Sequence, residues 1–285
     1  MAALIKTLVT ALVTVAAGLC FLAVPLASAQ AASTKPTVVS LDFCTDQFVL
    51  ALAEPEQILA LSSDAARDFS FMREAALPYR RIRPNTEEIL SLQPDLVMRS
   101  WAGNADHLAR IGLTVTTIPY AANFDGAAQA IRVASEALQQ EARGQQIIDN
   151  LESRLAELAE SRPANANNRP SALYITPGEV TAGEGTFVHE ILTAAGVENL
   201  AVREGKVGWS ALPLEALLYQ QPDLMIAAFF NTQTEQANHW SLRRHRAAGQ
   251  VLNRATTIEL PPDLLGCSAW YAVNAAEMVG QHVGK

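Results

Sequence analysis

Glu87-Glu-Ile-Leu-Ser-Leu-Gln-Pro-Asp-Leu-Val-Met98 and Glu215-Ala-Leu-Leu-Tyr-Gln-Gln-Pro-Asp-Leu-Met-Ile226 are one pattern written twice. Each copy opens with a carboxylate where a helix would start, turns at Gln-Pro-Asp and ends in an apolar run. Proline pushes the residue before it out of the helical region, so the helix stops there. An unbroken apolar run after the turn suits a strand buried on both faces. A helix–turn–strand unit used twice predicts two similar lobes, and two lobes predict a cleft between them.

The flanking sequence extends the pattern. Thr37–Leu41, Ile58–Leu61, Leu96–Met98 and Thr114–Ile118 read as strands, rich in β-branched residues. Helices are expected from about Thr45 to Ala53, after Asn85, and over His107–Ile111. Asn85 and Glu88 have the spacing of a capping box. Ala127, Ile131, Ala134 and Leu138 form one helical stripe. A second helix of about twenty residues follows from Glu141, with Ile148, Leu151, Leu155 and Leu158 on one face, a rod of roughly 30 Å. The polar stretch Arg162–Pro170 ends it. Strands then recur at Ala172–Thr176, Leu224–Ala228 and Thr256–Leu260, with helices over Phe187–Ala195 and about Ser268–Val283. Strands alternating with helices predict an α/β fold, two Rossmann-like lobes with mostly parallel sheets. The expected limits are 30–140 for the N-terminal lobe, 141–162 for the linking helix and 163–285 for the C-terminal lobe. A helical link resists bending, so opening and closing should be limited.

Residues 1–29 read as a cleaved signal peptide: Lys6, an apolar run from Leu8 to Leu26, then Ala27-Ser28-Ala29. A membrane anchor is the alternative, because the run approaches spanning length. Leu19 before Cys20 is large for a lipidation site. The expected destination is therefore an exported compartment. A net charge of −8 with scattered arginines argues against nucleic acid. Beyond the leader only Cys44 and Cys267 remain. Export permits a disulfide, but the sequence leaves a bridge and two free thiols equally open.

Trp101 follows a strand end, where open α/β sheets bind ligands. Trp209 stands before the second helix of the repeat. A tryptophan buries ~150–250 Å² on contact, a gross ~4–6 kcal/mol before ordering costs. Two such rings from different lobes suit a flat or apolar ligand; the plainer reading is loop packing. Glu87 and Glu215 hold equivalent positions in first helical turns, which the helix dipole alone would favour. One carboxylate per lobe also suits two arginine clusters on a two-fold symmetric partner. Thr181-Ala-Gly-Glu-Gly-Thr-Phe187 reads as a cleft-lining turn rather than an anion cradle, because Glu184 sits in it. Arg80, Arg81 and Arg83, and Arg243, Arg244, His245 and Arg246, form two basic clusters that read first as solvated surface. No histidine or cysteine pair has metal-ligand spacing, and no nucleophile elbow is present, so an enzyme has no residues to stand on. Tyr79, Tyr120 or His189 could ligate an iron porphyrin, with nothing in the sequence to choose among them.

Taken together, the leader, Val38-Val-Ser-Leu-Asp, the two Gln-Pro-Asp units, the long central helix and the Thr181–Phe187 turn resemble the helical-backbone periplasmic binding proteins. That family serves ABC importers of cobalamin, iron-siderophores and haem, and the resemblance spans essentially the whole chain after the leader. It implies that Glu87 and Glu215 dock on the permease dimer, which its ATPase drives, and that the chain acts as a monomer without chemistry or resident cofactor. It implies a cleft lined by Trp101, Trp209, Asp64, Asp263 and Trp270, with loops 44–46, 62–64 and 263–270 supplying polar contacts. Two aromatic positions of cobalamin-binding members fall here on the Arg83 region and Val180. Arg83 and Arg99 would suit an anionic ferric chelate instead. The expected ligand is a transported metal chelate, cobalamin or a ferric siderophore. Haem, or an exported enzyme on the same scaffold, is the alternative.

Overall fold

The computed structural model describes residues 35–162, 169–176, 178–212, 221–228 and 255–283. The expected leader and Glu215 lie outside these residues, as does the basic cluster at 243–246.

In the first lobe the chain runs β1 (Val38–Ser40), α1 (Phe43–Leu52), β2 (Ile58–Ser62), β3 (Arg81–Ile82), α2 (Thr86–Leu92), β4 (Leu96–Arg99), α3 (Ala105–Arg110) and β5 (Val115–Thr117). Its five strands form one parallel sheet, ordered β3-β2-β1-β4-β5. Alternation along the strands splits the apolar residues between two faces. Val39, Ala60 and Val97 meet Leu41, Ile89 and Leu108 on one side. Val38, Leu61 and Met98 face the main core on the other.

Two helices follow, α4 (Phe124–Leu138) and α5 (Glu141–Ser161). Gln139 in the left-handed conformation, φ 56°, separates them. The expected stripe Ala127, Ile131, Ala134 and Leu138 is wholly buried. Gly144 lets α5 approach α4 closely: a Cβ there would come within 2.5 Å of Ser135 Oγ.

The second lobe comprises β6 (Ser171–Ile175), β7 (Val180–Ala182), α6 (Phe187–Ala194), β8 (Glu198–Asn199), α7 (Leu200–Arg203), β9 (Trp209–Ala211), β10 (Leu224–Ala227), β11 (Thr256–Glu259), α8 (Pro262–Leu265) and α9 (Val273–Gly280). A parallel sheet is ordered β11-β10-β6-β8, and β7 pairs with β9 as a separate antiparallel ribbon. The two parallel sheets are distinct, as the repeat predicts.

The repeated Gln-Pro-Asp has a shared structural reason. Asp95 Oδ2 accepts from Thr37 N at 2.9 Å and Thr37 Oγ1 at 2.7 Å, and Asp95 N donates back to Thr37 Oγ1 at 3.1 Å. Asp223 does the same with Ser171, at 2.8, 2.7 and 3.2 Å. Each aspartate therefore clamps the start of its strand to the neighbouring one, β4 to β1 and β10 to β6. These hydrogen bonds stabilise the charged form and hold both carboxyls below the usual carboxylate value.

Three details depart from expectation. Helix α1 starts at Phe43 rather than Thr45, because Asp42 caps it. Asn85 caps α2 through Glu87 N at 2.9 Å, while Glu88 pairs with Arg80 at 3.1 Å instead of closing a capping box. The C-terminal helix begins at Val273, after a 3₁₀ turn over Trp270–Ala272, because aromatic packing sets this turn. Trp270 lies edge-on to Phe48 at 5.2 Å, and Tyr271 stacks on Phe71 at 4.1 Å.

The segment after β11 thus returns to the first lobe. Arg154 of α5 binds Glu277 of α9 through Nε at 2.7 Å and Nη2 at 2.5 Å. Arg73 pairs with Asp263 at 2.6 Å. Cys44 and Cys267 are disulfide-bonded, which decides the question the sequence left open. One apolar cluster runs without a break from Phe48 through Ile131 and Ile148 to Tyr174, Ile226 and Val279. The lobes share this core, and the first lobe keeps the smaller cluster around Val39 and Val97 to itself.

Candidate functional site

Between the lobes lies a cleft of about 350 Å³. The first lobe contributes Phe43, Cys44 and Phe48 of α1, Ser100 and Trp101 after β4, and Ile118–Ala121 after β5. The second contributes Phe187, Val188 and Ile191 of α6 and Trp209 of β9. The returning segment Leu264–Ser268, with the disulfide, closes one wall. The strand-end loops of a parallel sheet converge here because every strand of that sheet points the same way. Among the described residues the lining carries no ionisable acid, lysine, arginine or histidine.

Both proposed tryptophans meet in this cleft. Trp101 is 59 % exposed and Trp209 56 %, whereas Phe48 behind them is buried. Large rings left this bare have surface to give to a ligand. Trp209 is carried by the β7–β9 ribbon and stands edge-on over Tyr174 at 5.9 Å. That ribbon needs Gly183, where a Cβ would lie 2.2 Å from Lys206 O. The turn Thr181–Phe187 is accordingly a piece of the cleft's framework, with Thr186 Oγ1 capping α6.

Trp101 is held differently. Asp42, 2 % exposed, accepts from the backbone N–H groups of Ser100, Trp101 and Ala102 at 2.7, 3.2 and 3.3 Å. Arg99 Nε donates to Ala102 O at 2.6 Å and Nη1 to Thr117 Oγ1 at 3.3 Å. Arg99 therefore braces the Trp101 loop and does not enter the cleft, which corrects its expected role. Arg83 is exposed and off the lining.

Other expected contacts are also used elsewhere. Asp263 neutralises Arg73, a pairing that leaves its carboxylate occupied. Trp270 fills space against Phe48 behind the cleft. Asp64 is half-buried in a turn, where its C=O accepts from Arg67 N at 3.0 Å. Cys44 is in the wall, but Asp46 is fully buried beneath it. Asp46 accepts from Ser62 N at 3.0 Å and Ser62 Oγ at 2.5 Å, and burial pushes its carboxyl up to about 6. Of the three possible porphyrin ligands, Tyr120 lines the cleft, while Tyr79 packs on the core and His189 lies near Asn199 at 3.5 Å. Glu87 is exposed in the first turn of α2.

Sequence reasoning missed Asp42 and Phe43, while Phe187 falls in the turn expected to line the cleft. Asp42 left a trace: an aspartate three residues before Thr45, at the start of an apolar helix. The aromatic lining left none, since apolar cleft residues are written like core.

Residues 38–249 match the profile of a family described as "Periplasmic binding protein". The chain is 27 % identical over 152 residues to the uncharacterized ABC transporter substrate-binding lipoprotein YvrC of Bacillus subtilis, covering 50 % of this chain and 48 % of that one. It is 28 % identical over 148 residues to the vitamin B12-binding protein of Salmonella paratyphi A, covering 50 % and 55 %. The chain thus spans about half the length of the curated relatives it matches. The periplasmic haem-binding protein HutB of Vibrio cholerae has the same fold, with a TM-score of 0.72 at 18 % identity over 87 % of this chain and 99 % of that one.

Proposed function

The chain belongs to the periplasmic binding protein family, and from that premise we propose that it captures a bulky metal chelate in the cleft and delivers it to an ABC permease. Corrinoids are the ligand class the cleft chemistry favours. The observation that carries this is the aromatic lining from both lobes, with Trp101 and Trp209 bare and no charged side chain among the described lining residues. A ferric siderophore rich in carboxylates would meet no charged partner among the described lining residues, at a desolvation cost. A corrin presents a broad apolar face edged by neutral amides, which aromatic rings and the hydroxyls of Ser100 and Ser268 can meet. The similarity to a vitamin B12-binding protein supports the same choice.

The chain performs no reaction on its cargo in this reading. It works as a monomer in the periplasm, reached through the cleaved leader, and its partners are a permease dimer and its ATPase. Glu87 and Glu215 make the docking contact. Import energy comes from the partner ATPase.

Haem is the second reading, on one observation. The Tyr120 side chain, in a residue 70 % exposed at the cleft, offers an oxygen ligand to ferric iron.

Titration of the purified protein with cyanocobalamin and with haemin, followed by visible absorption, tests both. Stoichiometric cyanocobalamin binding that Trp101→Ala with Trp209→Ala abolishes supports the first reading. Haemin binding lost in Tyr120→Phe replaces it with the second. Failure of both ligands sinks the corrinoid and haem readings. Glu87→Ala with Glu215→Ala should keep the affinity and abolish uptake.

A further inference from the structure

We propose that Asp42 is a positioning residue that presets Trp101 for ligand, an inference that deepens the cleft reading above and rests on it. The two oxygens of its carboxylate do two separate jobs. Oδ1 accepts from Thr45 N and Thr45 Oγ1, both at 3.0 Å, and so caps α1. A serine or asparagine would do that much. Oδ2 gathers the three consecutive N–H groups of Ser100, Trp101 and Ala102. Helix α1 has no need of that second oxygen; the loop bearing Trp101 does.

The arrangement is buried where the ring itself is exposed. Burial strengthens hydrogen bonds. Thr45 Oγ1 also lies 3.0 Å from Ser100 Oγ, which ties the cap to the loop a second time. Phe43, the residue after Asp42, flanks the indole edge-on at 6.2 Å. One aspartate therefore sets the helix start, the loop backbone and the height of the ring above the cleft floor. With the backbone fixed before binding, less ordering is left for the ligand to drive.

Asp42→Ser separates the two jobs, since serine keeps a cap and lacks the second arm. Cyanocobalamin affinity should fall about three- to tenfold, the scale of ordering one loop side chain on binding. In a Trp101→Ala background the same substitution should change affinity no further. A loss of equal size in that background overturns the proposal, because Asp42 would then act on the fold at large. Backbone hydrogen exchange of the unsubstituted protein gives a test that needs neither ligand nor variant. The amides of Ser100, Trp101 and Ala102 should exchange far more slowly than those of the exposed flanking residues. Exchange as fast as theirs overturns the proposal, even if Asp42→Ser fails to fold. Absent cyanocobalamin affinity in the unsubstituted protein would instead defeat the cleft reading, and the exchange rates would still decide the role of Asp42.

Discussion

The two lobes are alike at their strand starts and unlike where they line the cleft. At the strand starts Asp95 and Asp223 make the same three hydrogen bonds, to Thr37 and Ser171. At the cleft the first lobe mounts Trp101 on a loop held by Asp42, and the second mounts Trp209 on the β7–β9 ribbon. The duplicated element is scaffold. The parts that line the cleft are the ones that were not repeated.

The largest effect should come from the tie that overrides this division. Cys44–Cys267 closes a chain segment of 223 residues. The chain-entropy relation assigns such a loop ~5 kcal/mol. Cys44→Ser with Cys267→Ser should therefore lower the denaturant midpoint steeply, and reductant should do the same to the unsubstituted protein only. Equal midpoints with and without reductant would show that the shared core and the Arg154–Glu277 contact suffice.

Next comes the mounting of Trp209. Gly183→Ala forces a Cβ onto Lys206 O. Overpacking of that kind costs about 1–3 kcal/mol. The ribbon should loosen, so ligand affinity should fall together with stability. By contrast Asp42→Ser in the other lobe should leave the ribbon that carries Trp209 as protected from hydrogen exchange as before, which Gly183→Ala should not. Equal protection of the ribbon in the two variants would erase the contrast.

Tyr174, beneath Trp209, offers a smaller change of opposite sign. Its hydroxyl is buried with no hydrogen-bond partner among the described residues. Tyr174→Phe should raise stability by about 1 kcal/mol, since an unsatisfied buried donor is costly. Thermal melting reads it directly, and a lower melting temperature would reveal a hidden partner.

A further effect separates the lobes by pH. Asp95 and Asp223 have folded values depressed below the unfolded carboxylate. Their contribution is complete above that ordinary value and fades as pH falls through the folded one. Asp46, in the first lobe alone, has the opposite sign. Its folded value of about 6 lies above the unfolded one, so stability declines as pH rises from the carboxylate range to about 6 and then levels. Asp46→Asn should flatten that decline, while Asp95→Asn with Asp223→Asn should flatten the acid limb. A decline unchanged by Asp46→Asn would refute the buried-acid account.

Much of this was legible in the chain itself. Strand and helix placement followed from apolar runs and stripes, because local burial periodicity is a local property. The stripe on α4 and the Gln-Pro-Asp turns fell where expected. Trp101 and Trp209 were legible from their places at strand and helix ends. Misplaced were the residues whose partners are remote in sequence. Asp263 reads as a cleft carboxylate until Arg73 is brought to it across the returning segment. Arg99 is the exception: its partner Ala102 is three residues on, yet only the curl of the folded loop brings that carbonyl to it. Trp270 reads like the other two tryptophans, and only Phe48 marks it as packing.

Residue order alone therefore determined a doubled parallel α/β architecture around a long helix, because proline turns, caps and apolar periodicity act over a few residues. Folding in three dimensions decided which of the candidate side chains face the cleft, that the two cysteines are joined and that the lobes share a core. Those outcomes depend on charge pairing and aromatic packing between segments hundreds of residues apart, and no local pattern records which long-range partner a side chain will meet.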